Sequence, residues 1–170
     1  MKFRAFILTN LTAAIALASA ALSIAQAADA PAFPLQRLAL CQDSWLEWKD
    51  DATRMRGLAS QLEAQYKPNA QGGGAYDPKA STQLLGWQVT QVYPQSVGMG
   101  VGFSALVNAD FATARAGVEK ATGKKLSCST SDGFTACEGK LAEKKTITLM
   151  TGDNGKGKTS LVGCYYYYEK

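Results

Sequence analysis

Four cysteines, a loop that spells a phosphate-binding pattern, a cluster of acids and a run of tyrosines are the groups in this chain that could do chemistry. Cys128 and Cys137 flank Asp132-Gly133, a dipeptide suited to a two-residue type I′ turn because both central residues need positive φ. Counting outward pairs Ser131 with Phe134, Thr130 with Thr135, Ser129 with Ala136 and Cys128 with Cys137. Pairs alternate outward from the turn, so the cysteines fall on a non-hydrogen-bonded pair, with Cα atoms about 4.5 Å apart and within disulfide range. Of the three connectivities open to four cysteines, this one leaves Cys41 with Cys164, a pairing that an inward-facing Cys41 also favours. All four thiols are then bridged. Thiol chemistry would instead want a Cys-x-x-Cys pair, and the nearest cysteines here are nine apart.

The other patterns read more plainly as structure. Gly152-Asp-Asn-Gly-Lys-Gly-Lys158-Thr159 matches the P-loop letters, but a P-loop needs a helix directly after it to present N–H groups to phosphate. The residues that follow, Ser160 to Tyr168, are strand-like, so the segment reads as a hairpin loop. Gly98, Gly100 and Gly102 have the wrong spacing for a dinucleotide fingerprint; they form a flat stripe where a ring, a helix or a ligand can approach bare backbone. The chain has no histidine, which removes Ser-His-Asp and Cys-His constellations and the commonest metal ligand. Asp43, Glu47, Asp50 and Asp51 lie close together and read as a solvated face; their catalytic reading is a carboxylate-based hydrolase of cell wall or glycan.

Tyrosines remain the strongest lead to a surface. Tyr165 to Tyr168 stand just before the final Glu169-Lys170, and tyrosine buries a large area with little entropy loss while keeping a polar tip. Candidate binding residues are Tyr165 and Tyr167, or Tyr93, Gln95 and Ser96 with the stripe of Gly98, Gly100 and Gly102 beside them.

The elements that must position these groups follow from period and punctuation. Met1-Lys-Phe-Arg4, the apolar run Ile7 to Ile24 and Ala25-Gln-Ala27 have the form of a cleaved bacterial signal peptide over residues 1–27. Residues 28–170 then form one domain. The net charge is +4, and Lys2 and Arg4 leave with the leader, so the balance is too mild to argue for nucleic acid. Leu38, Cys41, Trp45 and Trp48 follow helical spacing, and Met55, Leu58, Leu62 and Tyr66 repeat it after a cap at Asp50-Asp51. Residues 67–81, with three consecutive glycines, read as a flexible loop.

From Thr82 the period becomes two. Strands are expected over Leu84 to Tyr93 and Val97 to Val107, joined by a turn at Pro94-Gln-Ser96. A helix follows from Asp110 to Gly123, with Phe111, Ala114, Val118 and Ala121 inward, and a four-strand meander completes the chain. The expected fold is α+β: two N-terminal helices, then an antiparallel sheet of about six strands with one further helix between strands two and three, stapled by two disulfides. These features together suggest a small periplasmic or secreted protein, non-enzymatic, that binds or inhibits an envelope protein or glycan. A carboxylate hydrolase and a structural subunit of an envelope complex are the alternatives. No cofactor, metal, nucleic acid or membrane span of the mature chain is implied.

Overall fold

The computed structural model of the protein describes residues 32–46, 51–97 and 100–167. The expected leader, Glu47, Trp48, Asp50, Gly98, Met99 and Tyr168 lie outside these. Three helices and nine strands are present among the described residues, and every strand pairing is antiparallel. The α+β class stands, but the sheet holds nine strands where about six were expected.

The first helix, α1 (Leu35–Ala39), is far shorter than the apolar spacing suggested. Cys41 adopts φ 60°, and the N–H of Gln42 bonds back to the carbonyl of Arg37, which wraps the chain off the helix end as a Schellman turn does. Leu38 and Cys41 are buried all the same, so the spacing identified inward residues and misread the backbone between them. The second helix, α2 (Ala52–Gln65), starts where Asp51 accepts from the N–H of Arg54. Leu58 and Leu62 are buried, but Met55 is exposed. Tyr66 ends the helix and opens a strand.

Residues 67–81 are not a plain loop. Strands β1 (Tyr66–Pro68) and β2 (Tyr76–Pro78) pair across the glycine turn, in which Gly72, Gly73 and Gly74 all have positive φ. Next comes β3 (Gln83–Leu84), turned onto β4 (Trp87–Val97) by Leu85-Gly86. Both turn residues have positive φ, 52° and 87°, the same backbone as Asp132-Gly133 at 49° and 83°. β4 continues through Pro94, Gln95 and Ser96, which pair with Phe103, Gly102 and Val101 of β5 (Gly100–Val107); the turn expected there is strand instead. Pro94 is tolerated because β2 reaches β4 only at Val92, so no other neighbour needs its missing N–H.

Asp110 caps α3 (Phe111–Thr122) by accepting from the Thr113 N–H, and Gly123 closes it in the left-handed region. Ala114 and Val118 face the core; Ala121 is exposed, contrary to the helical wheel, and Gly117 instead lets the Trp87 ring lie against the helix. The chain then meanders through β6 (Ser127–Ser131), β7 (Phe134–Lys140), β8 (Lys145–Thr151) and β9 (Ser160–Tyr167). Sheet order is β1-β2-β4-β5-β9-β8-β7-β6. The segment with P-loop letters is the β8–β9 hairpin loop, and β9 follows it without a helix.

One face of the sheet carries the core. Val101, Phe103, Ala105 and Val107 of β5, Ile147 and Leu149 of β8, and Val162 and Cys164 of β9 are almost fully buried there, in one cluster with α1 and α3. Fully burying such a side chain contributes about 1.5–3 kcal/mol, which makes this layer the main source of stability. The predicted bridges Cys41–Cys164 and Cys128–Cys137 are both present, the second with Cα atoms 4.0 Å apart. A cluster of Phe33, Trp45, Tyr66 and Phe103, with centroids 5.4 to 6.0 Å apart, fills the space beneath the first segment.

Burial pushes the Tyr66 hydroxyl up to about 12, partly offset by its hydrogen bond with Thr82. The folded-state value lies above the ordinary 10, so the stabilisation is complete below pH 10 and is lost as pH rises towards 12. Tyr66→Phe is therefore expected to flatten the fall in stability over that window, measured by denaturant titration at a series of alkaline pH values.

Candidate functional site

The opposite face of the sheet has no helix on it among the described residues. Register alone sets out its rows, because the side chains of paired residues share a face. Gln95, Gly102, Tyr165, Thr146 and Lys140 form one row across β4, β5, β9, β8 and β7. Tyr93, Ser104, Gly163, Thr148 and Glu138 form the next. Gln91, Leu106, Leu161, Met150 and Ala136 form the third.

These rows differ in relief. In the first, the Tyr165 side chain lies down across β5 and donates its hydroxyl proton to the Gln95 Oε1 at 2.8 Å. Gly102 makes this possible: a Cβ there would stand 3.2 Å from the tyrosine ring and 2.9 Å from the Cys164 carbonyl oxygen. The middle row is low, since Gly163 carries no side chain and Ser104 is buried against it. The third row is apolar from Leu106 to Ala136, with Met150 40% exposed within it and Phe134 beyond it, 58% exposed at the tip of β7. A shallow trough of small residues thus runs between an aromatic–amide wall and an apolar wall.

The amide side is held by a chain of hydrogen bonds. Tyr93 donates to Gln91 Oε1, Gln91 donates to Asp77 Oδ1, and Asn69 donates to both Asp77 oxygens. Burial, with the Asp77 charge added to it, pushes the Tyr93 hydroxyl up, so that hydroxyl stays protonated at ordinary pH. A flat surface with tyrosine faces, amides and apolar side chains, charged at its far end by Glu138 and Lys140, can stack on sugar rings or cover an apolar protein patch.

Of the residues singled out from sequence, the structure brings Tyr93, Gln95, Gly102 and Tyr165 together on this face. Tyr165 and the glycine stripe looked like separate candidates; the insertion of β9 beside β5 makes them one surface. Ser96, Gly100 and Tyr167 are placed by register only, Ser96 opposite Val101 and Gly100 opposite Tyr167. Gly98 lies outside the described residues. The apolar stripe was missed from sequence. Leu161 and Met150 each alternate with a core residue, and apolar residues at both parities of β9 were the signal that both of its faces meet apolar surroundings.

Two of the four acids considered for catalysis, Asp43 and Asp51, hold the fold together. Asp43 accepts from Arg54 at 3.0 Å and lies 3.6 Å from Arg37, and Asp51 caps α2. Glu47 and Asp50 lie outside the described residues. Glu119 is held at about 2 by its hydrogen bonds with Lys125, the Leu126 N–H and Arg115, which pin the linker after α3. On the helical side, a hollow of about 560 Å³ beside Trp87 is lined by Asp110 and Lys158, opposite charges with the Asp110 carboxylate already engaged in capping. Among the described residues no helix is long and apolar enough to cross a membrane, and no three potential metal ligands gather. No protein-family model, curated protein or solved structure matches this chain, so its function is argued from the geometry of the open face.

Proposed function

We propose that this is a non-enzymatic binding or inhibitory protein of the bacterial periplasm or exterior, which engages an envelope protein or glycan through the open face of its sheet. The observation that carries the reading is Tyr165 lying across Gly102, faced over the low middle row by half-buried Leu161 and exposed Met150, with exposed Phe134 beyond. A monomeric soluble domain rarely leaves apolar side chains contiguous on a flat sheet, and such patches mark contact surfaces. Two disulfides, one of them on the edge strand, fit an oxidising compartment, in keeping with the leader read from residues 1–27. Envelope extract passed over the immobilised protein tests the reading. Retained material should be lost on both Tyr165→Ala and Met150→Glu and kept on Lys120→Ala, a substitution on the exposed side of α3. Retention unaffected by the first two would defeat the proposal.

A further inference from the structure

The sheet has two edges, and they are built differently. β1 is three residues long and carries Lys67 and Pro68, a charge and a missing N–H, which are standard defences against strand pairing. β6 is five residues long, reads Ser-Cys-Ser-Thr-Ser, and is exposed throughout, with no charge and no proline. Pairs alternate outward from Asp132-Gly133, so Ser131, Ser129 and Ser127 exchange hydrogen bonds with β7. The N–H and C=O groups of Cys128 and Thr130 therefore point away from the sheet, and no backbone group among the described residues bonds to them. The Cys128–Cys137 bridge holds this edge in its extended shape.

We infer that β6 pairs antiparallel with β6 of a second copy of this chain, joining two sheets into one across a twofold axis at Ser129. That register is the one that uses every free group. Cys128 meets Thr130 of the second copy and Thr130 meets its Cys128, which makes four hydrogen bonds; a shift one way would call on Leu126, whose N–H and C=O are already taken by Glu119 and Arg115, and a shift the other way on Asp132, whose positive φ of 49° in the turn takes it out of the extended strand. The same register brings Asp132 opposite Leu126 of the second copy, next to Lys125, whose ammonium holds Glu119 at 2.6 Å but, at 91% exposure and with three N–H donors, has donors left for a second carboxylate, and symmetry repeats the contact. The strand is thus complementary to itself in hydrogen bonding and in the charges that flank it, which favours a second copy over an unrelated peptide. The open faces of the two copies become one continuous surface, although the pairing stands whether or not that surface binds a ligand.

Light scattering of the purified, oxidised protein, from dilute to concentrated, should show a monomer–dimer equilibrium. Thr130→Pro removes an outward N–H and leaves the ladder to β7 intact, and it should remove the dimer at all concentrations with unchanged circular dichroism. Asp132→Asn keeps the turn and should weaken association roughly tenfold. Hydrogen exchange gives a second reading free of any substitution: the Cys128 and Thr130 amides should gain protection as wild-type protein is concentrated. A wild-type protein that stays monomeric, a Thr130→Pro variant that still dimerises, or amides that exchange at the same rate at every concentration would each overturn the inference.

Discussion

Replacing both Cys41 and Cys164 by alanine is expected to lower stability by about 5 kcal/mol, roughly 15 °C in melting temperature, whereas replacing Cys128 and Cys137 costs only about half as much. The difference follows from loop length, since the first bridge spans 123 residues and the second nine. Position adds to it. Cys164 lies on β9 in the middle of the sheet, so its bridge anchors the short α1 and the segment after it over the core. The same segment is held by the Leu46 N–H donating to the Tyr166 hydroxyl at 2.6 Å and by Arg54 donating to the Ser44 carbonyl at 2.6 Å. Denaturant unfolding of the two double variants checks the ranking. Equal losses, or a larger loss from the hairpin bridge, would mean that the first segment does not depend on its tether.

The second large effect is expected at Gly163. A Cβ there would lie 2.2 Å from the Ser104 Oγ, 2.8 Å from its Cβ and 2.9 Å from the Phe103 carbonyl oxygen. Two of those contacts involve a side chain whose Cβ cannot move aside and the third is backbone, so Gly163→Ala should push β5 and β9 apart and cost about 2–3 kcal/mol. Ser104→Gly in the same chain removes the two serine contacts and should recover about 1 kcal/mol or more, leaving the carbonyl contact in place. Thermal unfolding of the single and double variants measures this coupling. An unperturbed Gly163→Ala protein would show that the low middle row of the open face is not built by close approach of these strands.

Much of the local structure was legible because local chemistry decides it. Asp132-Gly133 dictates a turn, the turn dictates the register, and the register brings Cys128 to Cys137. Asp110 and Gly123 bracket α3 for equally local reasons. The misreadings share a different cause. Leu85 and Cys41 adopt positive φ without the residue types that advertise it, so the β3–β4 hairpin and the end of α1 were hidden by leucine and cysteine in places where glycine or asparagine is usual. Three glycines concealed the pairing of β1 with β2.

The site was only half legible, and for a reason of topology. Nothing local tells β9 to insert between β5 and β8 rather than extend the meander outward. That placement lays Tyr165 across Gly102 and aligns Leu106, Leu161 and Met150. The Cys41–Cys164 pairing carried part of this information, since it set which side of β9 faces inward and therefore that Tyr165 faces out.

Affinity of the captured envelope ligand for wild type and for Tyr165→Ala, measured by titration with Tyr165→Phe as a folded control, tests the central claim most directly. The account predicts a loss on the order of thirtyfold for alanine, the scale of truncating an aromatic anchor at an interface, and a much smaller change for phenylalanine. Unchanged affinity in a Tyr165→Ala protein that remains folded would contradict it.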